Sequence, residues 1–168
     1  TGLSFSPNGG ILASVGSDAQ ITLWNLASGA PRRLPSSHQD SITALVFSPD
    51  GTLLASGGKD AAVRLWDVAT GRERSVLLHL SGAAVTGLVF SPDGAILASA
   101  GEDAQVTLWD TNSGSAKRTL VGHGDVIRGI AFSPDGAILA SGGKDAHVKL
   151  WDVGSEERRV GKECRSRW

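Results

Sequence analysis

The sequence contains no methionine and a single cysteine, Cys164, and its 16 Lys and Arg nearly cancel its 17 Asp and Glu. Each shortage excludes something. One cysteine cannot build a disulfide framework, and it leaves the compartment open. A net charge of −1 gives no electrostatic footprint for nucleic acid or an anionic membrane, so neither is expected as a partner. No apolar run approaches the roughly 18 residues of a spanning helix, so a soluble chain is expected. Neither end resembles a signal peptide. Without methionine the chain has no initiator, and its opening Thr1-Gly2-Leu3-Ser4-Phe5 parallels Thr86-Gly87-Leu88-Val89-Phe90 further on. The expectation is an N-terminus cut inside a structural unit.

Chemical signatures are missing too. There is no phosphate-cradling glycine loop followed by Lys-Ser/Thr, no cysteine pair for zinc and no His-Glu-x-x-His. The Asp-Gly turns lack the acidic spacing of a calcium loop. No metal and no cofactor is expected.

What is present is repetition. Trp24, Trp66, Trp109 and Trp151 stand 42, 43 and 42 residues apart. Ser6-Pro7-Asn8-Gly9, Ser48-Pro49-Asp50-Gly51, Ser91-Pro92-Asp93-Gly94 and Ser133-Pro134-Asp135-Gly136 keep the same step. In the third unit, Ala84–Phe90 is a β-rich apolar run, and Ser-Pro-Asp-Gly turns the chain because Pro presets φ and Gly closes the turn. Ala95–Ser99 reads as a buried strand, Gly101–Ala104 as a tight turn, and Val106–Trp109 alternates at the strand period. Lys117–Val121 reads as a fourth, outer strand. Four short strands in about 42 residues make one antiparallel sheet that cannot bury both faces alone. Turn signals every eight to twelve residues leave no room for helical repeats.

The last fourteen residues, 155–168, share nothing with these units and carry five basic and three acidic residues. Ser155–Trp168 resembles, at all fourteen positions, the in-frame translation of a short-read sequencing adapter, so it is set aside from the fold. Without it the chain has 11 basic and 14 acidic residues, a net of −3, and no cysteine. The rival reading of this stretch is a basic nucleic-acid-binding tail.

Trp66-Asp67, Trp109-Asp110 and Trp151-Asp152, with Gly122-His123 ahead of the last unit, resemble the WD-repeat family of β-propellers over about residues 1–153. Trp24-Asn25 departs by one substitution, and Ser37-His38 keeps only the histidine. The resemblance implies an all-β fold, an open arc of about four antiparallel four-stranded blades. The expected blades are 1–37, 38–80, 81–122 and 123–154, the first truncated and the fourth without its outer strand. Seven blades is the commonest ring in the family, so a whole one needs about 290 residues. The remaining blades of a parent chain are then among the expected partners, and bare edges should pair or aggregate. Arg158-Arg159-Val160 falls where the missing strand would lie.

Each unit also carries Ser, Asp and Trp at fixed offsets, with a histidine ahead. These are His38, Ser56, Asp60 and Trp66 in the second unit, and His123, Ser141, Asp145 and Trp151 in the fourth. Such a set invites a hydrolase reading. The resemblance implies a buried structural tetrad instead, in which Asp accepts from His, His bonds Ser and Ser reaches the indole. Recurrence argues the same way, since an enzyme needs one active site. In the third unit, with Ser99, Asp103 and Trp109, counting back from Ser91 puts Ser81 at the histidine position and His79 two places early. Either a bulge lets His79 reach Asp103, or that blade lacks the full chain. The count favours the loss.

Binding must then come from positions that vary between copied units. Ahead of the turn aspartates these are Ser17, Lys59, Glu102 and Lys144, and near the start of the inner strands they are Thr43, Thr86 and Arg128. Lys59, Glu102, Arg128 and Lys144 are the partner-binding candidates, and within them the Lys59, Arg128 and Lys144 group is expected to grip an acidic peptide or loop. The function expected is a non-catalytic protein–protein interaction scaffold within a larger protein. Its Ala/Gly-rich blades resemble those attached to bacterial signalling ATPases, kinases and caspase-like proteins. The alternative is a propeller hydrolase or small-ligand binder using the central channel, for which Arg128 is the sole candidate.

Overall fold

The structure, a computed structural model, describes residues 2–79 and 81–154. They form four antiparallel sheets and no helix. The first holds β1 (Gly2–Phe5), β2 (Ile11–Val15), β3 (Ile21–Asn25) and β4 (Pro31–Arg33). The second holds β5 (Ile42–Phe47), β6 (Leu53–Gly58), β7 (Ala62–Asp67) and β8 (Glu73–Leu78). The third holds β9 (Val85–Phe90), β10 (Ile96–Gly101), β11 (Gln105–Asp110) and β12 (Ala116–Val121). The fourth has three strands, β13 (Ile127–Phe132), β14 (Ile138–Gly143) and β15 (Val148–Asp152). Each is a meander in sequence order. The expected outer strand at Arg158-Arg159-Val160 lies outside the described residues.

Three turns per blade explain why the sequence folds this way. In the first, the Ser48 carbonyl accepts from the Gly51 amide at 2.9 Å, and Gly51 takes φ 73°, which only glycine adopts freely. The Ser48 hydroxyl donates to Asp50, whose carboxylate receives the Thr52 amide at 3.0 Å. In the second, a non-glycine residue is left-handed in every blade: Ala19, Ala61, Ala104 and Ala146, with φ 57–62°. The preceding aspartate stabilises this turn by accepting an amide two residues on, as Asp103 does from Gln105 at 3.1 Å. In the third, Asp67 receives the amide and hydroxyl of Thr70, both at 2.7 Å. Asn25 does the same job for Ala27 and Ser28 at 3.1 and 2.9 Å, which is why the first unit tolerates Trp-Asn.

The sheets stack in series through their inner strands, β1 on β5, β5 on β9 and β9 on β13, and do not close into a ring. Each junction is one apolar cluster with a constant recipe. The middle strands of one blade offer small and branched residues, Ala13, Ile21 and Leu23 in the first case. The next blade answers with an aromatic pair and a leucine, Phe47, Trp66 and Leu54. The junctions of the second with the third blade and the third with the fourth repeat it, around Trp109 and Trp151. Burial of such faces is the dominant favourable term of the fold.

Candidate functional site

Two kinds of side chain needed placing: the recurrent polar set and the variable positions. In the second blade the indole of Trp66 donates to the Ser56 hydroxyl at 2.8 Å, and Ser56 lies 2.8 Å from His38 Nε2. His38 Nδ1 is 3.0 Å from both oxygens of Asp60, which also receives the Gln39 amide at 3.1 Å. With Nδ1–H on the carboxylate, Nε2 accepts the serine proton. His123, Ser141, Asp145 and Trp151 repeat the chain at 2.8, 2.8 and 2.7 Å. In the first blade Trp24 donates to Ser14 at 2.9 Å.

The third blade divides the chain between two residues. His79 Nε2 sits 2.6 Å from Ser99, and Trp109 donates to Ser99 at 2.8 Å. The Asp103 carboxylate is met instead by the Ser81 hydroxyl at 2.6 Å. His79 and Asp103 form no hydrogen bond among the described residues. The serine half of the tetrad is therefore kept, and the aspartate half is carried by a residue two places on.

Burial shapes the chemistry of these groups. It pulls the His38 and His79 imidazoles below their ordinary range, outweighing the opposing pull of Asp60 and Asp103. Burial raises the Asp145 carboxyl, but the Gly124 and His147 amides and the His123 ring outweigh it and hold the group at about 2. Ser56, Ser99 and Ser141 are buried beneath tryptophans and already bonded to both an indole and a histidine, so none of the three presents a free nucleophile. Among the described residues no group of three His, Cys, Asp or Glu is placed to hold a metal.

The variable positions gather at one end of the sheets, where the inner strands begin. The backbone amides of Lys59, Glu102 and Lys144 donate to Ser41, Ala84 and Val126 at 3.0, 2.9 and 2.8 Å, pinning each loop beside the start of β5, β9 or β13. Their side chains are exposed, as is Arg128. None of the four makes an ion pair or side-chain hydrogen bond among the described residues. Arg128 stands where pairing skips from Ile127 to Gly129, and Thr43 and Thr86 occupy the same skipped position in β5 and β9. A bulge re-aims its extra residue. The Thr43 and Thr86 hydroxyls turn back to the Gly57 and Ala100 carbonyls at 3.0 and 3.2 Å. Arg128 instead leaves a cation at the mouth of the strand.

Sequence reasoning missed several neighbours. Arg64 is buried in the second blade, 3.0 Å from Glu73 and 3.8 Å from Asp60, and its Nη2 donates to the Ser37 carbonyl at 3.0 Å. In the strand it occupies the polar slot that Thr107 and Lys149 fill elsewhere, so nothing local marks it. Arg32 clamps the first blade to the second through the Ala69 carbonyl at 2.9 Å. At the opposite end, a polar depression of about 260 Å³ lies between the second and third blades, lined by Asp50, Arg74, Asp93 and Thr111. Among the described residues no helix is long and apolar enough to cross a membrane.

The repeat model described as WD domain, G-beta repeat matches residues 1–25, 29–67, 73–110 and 114–152. Each of the last three matches joins the outer strand of one blade to the three inner strands of the next. No curated protein matches the chain. With four matched repeats and four stacked antiparallel sheets, the chain belongs to the WD-repeat family of β-propeller proteins.

Proposed function

We propose that the chain is a non-catalytic protein–protein interaction scaffold, a propeller segment of a larger signalling protein, whose partner docks where the inner strands begin. WD-repeat domains are in general interaction modules, which supports the first half of the reading. The observation that carries the second half is Arg128. Its counterparts spend their hydroxyls on backbone carbonyls, whereas Arg128 is exposed two residues beyond Val126, whose carbonyl accepts the amide of the likewise exposed Lys144. An exposed planar fork of donors suits carboxylates. An acidic peptide or loop is therefore the partner, gripped by Lys59, Arg128 and Lys144, with Glu102 disfavouring misplaced acidic groups.

Charge reversal tests this directly. A Lys59→Glu, Arg128→Glu, Lys144→Glu chain should keep its circular dichroism and melting curve while losing partners that the parent retains in pull-downs. Unchanged recovery of those partners discards the patch.

A further inference from the structure

Arginine ties the first blade to the second and the third to the fourth, and the junction between these two lacks it. The outer strands place equivalent residues opposite the leucine before each tryptophan: Leu23 pairs with Arg32, Leu65 with Ser75 and Leu108 with Arg118. Arg32 Nη1 donates to the Val68 and Ala69 carbonyls of the next blade at 3.3 and 2.9 Å, and Arg118 Nη1 to the Asp152 carbonyl at 3.2 Å. The 43-residue step from Trp66 to Trp109 carries Val68 and Ala69 onto Thr111 and Asn112. Their carbonyls accept no hydrogen bond among the described residues. Gly71 makes room for Arg32, since a Cβ there would collide with Nη2. Gly114 keeps the same opening, and a Cβ there would meet nothing closer than the Ser75 hydroxyl at 3.3 Å.

The polar depression of about 260 Å³ lies at this place, with Thr111 and Asn112 in its wall beside Asp50 and Asp93. Both walls come from four-stranded blades that have a neighbour on each side. The Ser48 and Ser91 hydroxyls are the largest influence holding Asp50 and Asp93 below the ordinary carboxylate range, so both are ionised at neutral pH. Asp93 Oδ1 takes the Ser91 hydroxyl and the Ala95 amide, while its Oδ2 accepts no hydrogen bond among the described residues. Two carbonyls and a carboxylate oxygen therefore stand as acceptors without donors. Against the two carboxylates the lining sets one cation, Arg74.

We propose that this depression is a docking slot for one arginine side chain of a partner protein, taking the place that Arg32 and Arg118 hold in the flanking junctions. The lining is negative on balance and rich in acceptors, which suits a cation that carries only donors. A guanidinium offers five N–H donors in a planar fork, able to meet separate carbonyls and a carboxylate at once. The volume falls below the roughly 300–1,000 Å³ of pockets that enclose a whole small molecule, so a single side chain fits. The slot lies at the opposite end of the sheets from Arg128, and neither reading depends on the other.

The test is a titration of the full 168-residue chain with arginine blocked as its N-acetyl amide, followed by backbone amide NMR. Saturable shifts should be confined to the turns around Gly94 and Asn112, with millimolar affinity. The corresponding lysine and citrulline compounds should bind about tenfold more weakly, the cost of about one charge-assisted contact. Ser75→Arg supplies the missing side chain from within and should abolish the shifts. Asp93→Asn should weaken binding about tenfold with unchanged circular dichroism. Asn8 already serves that turn in the first blade, accepting the Ser6 hydroxyl at 2.8 Å and the Gly10 amide at 3.0 Å. Shifts that do not saturate, or an equal response to the lysine or citrulline compound, overturn the proposal. So does binding of free arginine but not the blocked form, or a folded Ser75→Arg or Asp93→Asn chain that binds as its parent does.

Discussion

His79 and Ser81 share between them the place that one histidine holds in the neighbouring blades: His79 bonds Ser99 and Ser81 bonds Asp103, each at 2.6 Å. The loop between β8 and β9 thus holds its blade at two points rather than through one buried ring. A link made by an exposed hydroxyl contributes less than one made by a buried imidazole, since water competes for it.

His38→Ala strips a partner from both Ser56 and Asp60, and should cost about 1–3 kcal/mol. Ser81→Ala removes one partly solvated bond, and should cost about 0.5–1.5 kcal/mol. Urea unfolding of the two variants beside the parent measures the difference. Equal losses would mean that the third blade depends on Ser81 as fully as the second does on His38.

Ala61 holds φ 60°, a conformation that strains a side chain, and three other alanines share it. Glycine removes the strain of about 1–2 kcal/mol but restores unfolded-state freedom of about 0.5–1 kcal/mol. Ala61→Gly should therefore stabilise the chain by about 0.5 kcal/mol, read as a higher urea midpoint. A lower midpoint would mean that the Asp60 carboxylate, which accepts the Ala62 amide at 3.3 Å, has already relieved the strain.

Acid should weaken the chain in two stages. Burial lowers His38 and His79, so below the ordinary histidine value of about 6.5 the unfolded chain binds protons that the folded chain refuses. Their full contribution is present above that pH and is lost as the pH falls through the folded values. Asp145, held at about 2, and the turn carboxylates Asp50, Asp93 and Asp135, lowered first by their serine hydroxyls, give the second loss below the ordinary aspartate range. Urea midpoints across a pH series measure both stages. A midpoint that rises on acidification from neutral pH would contradict this assignment.

Much of the fold was legible because turn and strand signals recur in register: Ser-Pro-Asp-Gly marks every first turn, and the tryptophans mark every third strand. Strand ends were less so. Ala95–Ser99 reads as a strand, yet β10 runs on to Gly101, because a register shift lets Gly101 pair with Val85 around Thr86. Counting residues likewise could not show how the third blade would meet Ser99 and Asp103. A count fixes positions along the chain, whereas a loop leaving β8 can aim two side chains at two targets. Arg64 was invisible for a related reason. Its strand slot is polar in every blade, and only the fold brings Glu73 and Asp60 to it.

The central claim is that the recurrent tryptophan set holds blade to blade, so its worth depends on whether a neighbour covers it. Trp66 is fully buried at the junction of the first and second blades, while Trp24, with the same serine bond, is 38 % exposed on an uncovered face. Urea unfolding of Trp66→Ala and Trp24→Ala at a concentration that keeps the chain monomeric tests this most directly. Trp66→Ala should cost about 3–5 kcal/mol and Trp24→Ala well under half of that. A Trp66→Ala chain as stable as its parent, or equal losses from the two variants, would contradict it.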